Sequence, residues 1–253
     1  MKRHRIEQLT ELIDKRGKLS MAQLTEYFPE YSEMTLRRDL KELEETGKVV
    51  RVRGGVRSVL ELQQTTDVPN YTKKTAQNSD EKMQIACKAA VLIDDGASMF
   101  LDGGSTALFL AKELPDVKYN VFTNGIMVAT ELARKKNVSV NLLGGELQHD
   151  NLSTFSPLAE MYFADMNFQI AVISATAFTI ENGFSCGTQA QADLLKLVRK
   201  KAKFVYMLLD SSKIGKVMPY TFARLKDINV LVTDENFPQS LKEKFKEQNV
   251  VVL

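Results

Sequence analysis

Apolar residues in the first quarter of the chain fall at helical spacing. Ile6, Leu9 and Ile13 recur at i, i+3 and i+7, so residues 4–16 predict an amphipathic helix that Gly17 ends. Met21–Phe28 predicts a second, short helix with Leu24, Tyr27 and Phe28 on one face. Pro29-Glu30-Tyr31 reads as a turn and Ser32 as an N-cap. Leu36, Leu40 and Leu43 then form the buried stripe of a third helix that Gly47 closes. Over Val49–Arg53 the period drops to two, apolar alternating with basic, before Gly54-Gly55; this is a β-hairpin pattern. Three short helices and a hairpin make a winged helix-turn-helix.

Residues 58–80 are rich in Gln, Thr, Asn and Ser and read as a linker. From Asp80 helices and strands alternate. Helices are predicted over 81–93, 107–113, 126–136, 189–202 and 239–248, and strands over 97–101, 119–122, 138–143, 169–175, 204–209, 228–233 and 249–253. That rhythm predicts a mostly parallel α/β sheet. The expected organisation is a winged helix-turn-helix domain over 1–57, a linker over 58–79 and a larger α/β domain over 80–253.

A hydrophobic content of 44% with 26% charged residues is ordinary for a folded chain and argues against global disorder. Charge is nearly balanced overall, so its distribution is what matters. Residues 1–60 hold 13 basic and 10 acidic side chains, and Lys48–Arg57 holds four basic residues and no acidic one. Cys87 and Cys186 offer no disulfide framework, and with His4 and His149 they form no metal-ligand spacing, so neither a metal nor a cofactor is expected. No apolar run approaches the ~18–20 residues of a membrane span, and the basic start lacks the apolar stretch of a secretory signal. A soluble, cytoplasmic protein with no membrane partner is expected.

On a helical wheel of about 100° per residue, Met34, Arg38 and Lys41 lie opposite the leucine stripe, with Thr35 and Arg37 on the flanks. The basic N-terminal half suits a recognition helix entering the major groove, while Glu42, Glu44 and Glu45 stay away from phosphates. A lone basic helix would read better as a solvated face. Here Arg51 and Arg53 on one face of the hairpin strand, and Arg57 after its turn, extend the basic surface into a wing. The expected DNA-contacting set is Ser32, Met34, Thr35, Arg37, Arg38, Lys41, Arg51, Arg53 and Arg57, its partner double-stranded operator DNA.

The string MTLRRDLKELEETGKVVRVRGG, Met34 to Gly55, resembles the signature of the DeoR family of bacterial regulators. The resemblance implies DNA contacts from Thr35, Arg37 and Arg38 with support from the wing. The chain departs from the family pattern in a turn at Phe28–Ser32 that is one residue longer, and in Arg53 where the family has His.

Strand ends in the second half carry small and polar clusters. Gly103-Gly104-Ser105-Thr106 precedes a helix, where exposed N–H groups and hydroxyls suit a phosphate cradle, although taken singly each such cluster reads equally as a structural turn or cap. Thr123-Asn124-Gly125 and Gly144-Gly145 end the neighbouring strands, and such carboxyl-end loops converge on one crevice. Lys213, after Asp210-Ser211-Ser212, reads equally as an anion contact or as a solvated lysine on a turn.

EKMQIACKAAVLIDDG, LDGGSTALFLAKEL, FTNGIMVATEL, LLGGEL and LLDSSKIGK resemble the successive blocks of the DeoR effector domain. That domain is similar in fold to ribose-5-phosphate isomerases and CoA transferases. The resemblance implies a sequence-specific regulator, a repressor of a carbohydrate operon, controlled by a phosphorylated sugar or polyol. The implied effector contacts are Asp102, Gly103, Gly104, Ser105, Thr106, Thr123, Asn124, Gly144, Gly145 and Lys213. Departures stand at Ser105, Ser156 and Ala175-Thr176-Ala177.

Two rivals remain. One is a sugar-phosphate isomerase with Asp102 or Asp210 as base; the attached DNA reader argues against it. The other is a DNA-binding protein whose second domain only oligomerises. Typical helix-turn-helix geometry predicts paired N-terminal domains on related half-sites, hence a homo-oligomer.

Overall fold

A computed structural model describes residues 2–52, 54–59 and 75–253. The chain divides into two compact units, Met1–Val68 and Pro69–Leu253.

In the first unit, helices α1 (Lys2–Arg16), α2 (Met21–Tyr27) and α3 (Glu33–Glu45) pack over an antiparallel sheet of order β1-β3-β2. Leu9, Ile13, Leu24, Leu36, Leu40, Leu43, Val49 and Val56 form its core. Strands β2 (Val49–Val52) and β3 (Gly55–Ser58) are the expected wing, so Ser58 is strand rather than linker. Strand β1 (Lys18–Ser20), too short to show a period, was not anticipated. It explains the second wing glycine: Gly54 takes the left-handed turn at φ +83°, whereas a Cβ on Gly55 would land on the Leu19 carbonyl. Tyr27 does not share the buried face expected for it. It is exposed, with the Arg16 guanidinium 5.9 Å from its ring centre.

The second unit is built on a seven-stranded parallel sheet of order β15-β14-β12-β9-β4-β5-β6. These strands are β4 (Ser98–Leu101), β5 (Tyr119–Thr123), β6 (Val138–Leu142), β9 (Phe168–Ser174), β12 (Ala202–Leu209), β14 (Val230–Thr233) and β15 (Val251–Val252). The connecting helices are α4 (Ser79–Ala90), α5 (Ser105–Glu113), α6 (Ile126–Leu132), α7 (Ala159–Tyr162), α8 (Gln189–Lys201) and α9 (Gln239–Glu247). The expected helices at 81–93 and 126–136 thus end earlier, at Ala90 and Leu132, and the parallel sheet is as expected.

Strand order reverses once. After β4 the chain moves outward through β5 and β6, then returns to place β9 on the other side of β4 and continues through β12, β14 and β15. The carboxyl ends of β4 and β9 are therefore a topological switch point, the place where α/β sheets open a crevice. Two additions flank it: the hairpin β7 (Glu146–Gln148) and β8 (Ser153–Phe155), and the antiparallel sheet β10 (Ala177–Thr179), β11 (Gly183–Cys186) and β13 (Tyr220–Ala223).

Candidate DNA interface and effector crevice

Helix α3 is capped by Ser32, whose hydroxyl accepts from the Thr35 N–H at 3.3 Å and lies 2.9 Å from the Thr35 hydroxyl. Both hydroxyls expected at DNA thus already serve the cap. Met34, Thr35, Arg37, Arg38 and Lys41 line one shallow depression, and Met34 is 78% exposed. An exposed methionine on a basic surface has no folding purpose and suits contact with a base or methyl group.

Most of the basic side chains are already paired. Arg37 donates from Nε (2.9 Å) and Nη2 (2.6 Å) to Glu33 Oε1, and Lys41 lies 3.8 Å from Glu45. Arg51 donates to Glu44 at 2.6 Å, and that bond holds the Glu44 carboxyl below the usual carboxylate range. Arg38, also exposed, has no ion pair or hydrogen bond with a described residue. Arg57 lies half-buried in β3, opposite Lys18 and Val50, and Arg53 lies outside the described residues.

The helix is anchored by a pair that the sequence reading missed. Asp39, wholly buried beside the leucine stripe, accepts from Arg5 Nε at 2.5 Å and Nη2 at 3.2 Å, and the same guanidinium lies 4.6 Å from the Tyr31 ring centre. The hydrogen bond to Asp39 raises the Arg5 pKa further, so the guanidinium stays charged.

In the second unit, Asp102 at the end of β4 spans the switch point. Oδ1 accepts from the Gly103 N–H at 2.8 Å, and Oδ2 accepts from the Ser174 N–H at 3.2 Å and hydroxyl at 2.6 Å, on β9. Burial pushes its carboxyl up, against the pull of these bonds. A carboxylate so engaged clamps two strands and is poorly placed to abstract a substrate proton.

Gly103 packs so closely on the β5 loop that a Cβ would meet Ser153 Oγ and lie 2.8 Å from Gly125 Cα. Its N–H also reaches Asn124 Oδ1 at 3.0 Å, so this expected phosphate donor is already committed. The open donors lie one step on. Gly104 caps α5 without a side-chain bond, leaving the first N–H groups of that helix without an intrahelical acceptor. Ser105 is partly exposed there and Thr106 nearly buried.

Thr123 spends its hydroxyl on the Gly125 N–H at 3.0 Å. Asn124 is wholly buried, and its Nδ2 has no hydrogen-bond partner among the described residues. The β7–β8 hairpin covers this edge: Thr154 donates from N to Asn124 O at 2.8 Å and from its hydroxyl to Leu143 O at 2.5 Å. Gly145, at φ +148°, lets the hairpin turn back where a Cβ would strike the Phe155 carbonyl. Gly144 is exposed with open space around it.

Two strands from β4, the end of β12 carries a second cluster, at about 4.8 Å per strand some 10 Å from Asp102. Lys213 Nζ lies 4.0 Å from buried Asp210, and Asn78 Nδ2 donates to Ser212 Oγ at 2.8 Å and Asp210 Oδ1 at 3.4 Å. Lys82 joins them, 3% exposed, donating to the Gln77 carbonyl. Burial lowers its pKa foremost, with Asp210 opposing and Lys213 reinforcing that shift. The reading above missed Lys82, although the signal was there: Lys82, Ile85, Ala86 and Ala89 share the buried stripe of α4. A charge on an apolar stripe requires a buried partner: for Asp39 it is Arg5, and for Lys82 it is the cluster at the end of β12.

A model described as "DeoR-like helix-turn-helix domain" matches residues 5–61, and one described as "DeoR C terminal sensor domain" matches residues 77–235. The chain is 33% identical over 246 residues to the transcriptional repressor AccR of Agrobacterium fabrum, covering 94% of each chain. It is 31% identical over 254 residues to the lactose phosphotransferase system repressor of Streptococcus mutans, covering 99% of each. Among solved structures, ribose 5-phosphate isomerase A from Methanocaldococcus jannaschii is similar at a TM-score of 0.41 and 19% identity, over 55% of this chain and 56% of that one. Among the described residues no helix is long and apolar enough to cross a membrane.

Proposed function

The chain belongs to the DeoR family of transcription regulators, and on that premise we propose that it represses a carbohydrate-metabolism operon under the control of a phosphorylated sugar or polyol. Residues 1–57 read operator DNA as paired copies on related half-sites. Residues 80–253 sense the effector and hold the copies together, joined to the reader by the segment that follows Ser58. The protein works in the cytoplasm, without cofactor or metal.

The observation that carries the effector reading is the pairing of opposite features at one sheet edge. The uncapped N-terminus of α5 offers N–H groups to an anion, and the cluster of Lys82, Lys213 and Asp210 lies two strands away. A phosphate seated at α5 by Gly104, Ser105 and Thr106 leaves Asp210 and Asn78 to accept from and donate to sugar hydroxyls. Two relatives, both repressors and one of a lactose system, support the same reading.

A thermal-shift screen of sugar and polyol phosphates, paired with operator binding, tests it. One phosphorylated compound should raise the melting temperature and change operator affinity, while its unphosphorylated parent does neither. Equal effects from both would remove the phosphate site.

A further inference from the structure

Three large apolar side chains stand exposed within one short stretch: Leu158, Met161 and Tyr162 are 63%, 76% and 53% accessible. Exposure of this kind, clustered rather than scattered, marks a contact surface. It adjoins a groove of about 710 Å³ whose lining includes Pro157 and Ala159 on the near side and Leu194 and Leu197 of α8. The groove's remaining wall is the β7–β8 hairpin, with Glu146, Gln148 and Phe155, and no expected effector or DNA contact lines it.

The charges on α8 say what covers the groove. Along the helix its lining residues run from acidic Asp193 to basic Lys196 and Lys200. Asp193 lies 3.8 Å from Lys196 and accepts from Gln189 Nε2 at 2.6 Å, but Asp193 and Lys196 are substantially exposed, at 59% and 40%. Such a pair is free to exchange partners. A second α8 laid antiparallel across a two-fold axis near Leu197 would bring Asp193 of each copy against Lys200 of the other. It would also set the two helix dipoles in opposition. Ala159 belongs both to α7 and to the groove lining, so the inserting and receiving surfaces adjoin. Mutual insertion therefore closes on a two-fold axis rather than propagating into a chain of copies.

We infer that this face is the contact between two copies of the protein, α8 packed antiparallel on α8, with α7 of each copy seated in the groove of the other. The inference deepens the paired-operator reading above, on which its use rests, and it is tested without DNA.

Sedimentation velocity of the full chain is the measurement. The wild type should sediment as a dimer or a multiple of one. Met161→Asp, at a position too exposed to threaten folding, should halve the assembly. Asp193→Lys and Lys200→Glu should each raise the dissociation constant more than about tenfold. An equimolar mixture of those two variants should associate again, because each reversed charge then faces its opposite. Circular dichroism matching the wild type shows that each variant is folded. A monomeric wild type, charge variants that sediment like the wild type, or a mixture that fails to reassociate would each overturn the interface. Variants that stay assembled while operator binding persists would sink the interface and leave the regulator reading standing.

Discussion

Among the described residues Arg38 stands unpaired where Arg37, Lys41 and Arg51 each hold a glutamate. A paired arginine must surrender its carboxylate before it can hold DNA, whereas Arg38 gives up only water. Arg38→Ala should therefore cost about 1–3 kcal/mol of operator affinity and relax specificity at one base pair. Titration of operator and mismatched DNA at one salt concentration measures it, and equal losses on both would make Arg38 a phosphate contact instead. One residue on, Asp39→Ala leaves the Arg5 guanidinium buried without its carboxylate. Breaking a buried pair costs about 3–5 kcal/mol, enough to unfold most of a small unit, and urea denaturation followed through the helix signal would register it.

Lys82 has the opposite sign. Burial lowers its pKa in the folded protein, so between the folded value and the ordinary lysine value the unfolded chain binds more protons. Stability must rise with pH through that window, and below it the cost of the buried ammonium is present in full. Lys82→Met should raise the melting temperature at neutral pH, flatten that alkaline rise and abolish the response to a phosphorylated effector. A lower melting temperature with the response intact would make Lys82 a structural prop.

Among the elements, the crevice is held by close backbone approach. Gly103 and Gly125 touch where no side chain fits, and Ser153 of the β7–β8 hairpin presses on the same point. Gly103→Ala should force loop or hairpin aside and destabilise the second unit by at least about 1–3 kcal/mol, read as a fall in its melting temperature. These tight glycines were legible in sequence as strand-end punctuation, but their purpose was not: Gly103 is needed for packing, and its N–H is not free for phosphate. The helices and parallel strands were legible for a plain reason. Leu36, Leu40 and Leu43 show a helical period, and runs such as Val205–Leu209 are continuously apolar because both sheet faces are covered. What escaped was short and non-local. Strand β1 has three residues and pairs with a segment nearly forty positions on, and β11 finds β13 at a similar distance. No local period reports such pairings. Asp39 and Lys82 were visible as charges on apolar stripes, yet only the fold supplies their partners.

At the scale of the whole chain, control requires that two units with separate cores share one free energy. The core around Leu36 and Leu40 and the core around Phe100 and Phe184 have no residue in common. Binding at one can influence the other only through a difference in affinity between two states of the assembly. That constraint has a measurable form, because coupling is reciprocal. If the effector weakens operator binding tenfold, about 1.4 kcal/mol, operator DNA must weaken effector binding by the same tenfold. Calorimetric titration of effector into free protein and into the operator complex measures the second factor, and titration of operator with and without effector measures the first. Equal factors would show that one equilibrium joins the crevice at α5 to the recognition helix α3. An effector that binds both forms alike, while DNA release still follows its addition, would mean that release proceeds by another route, such as loss of the paired assembly itself.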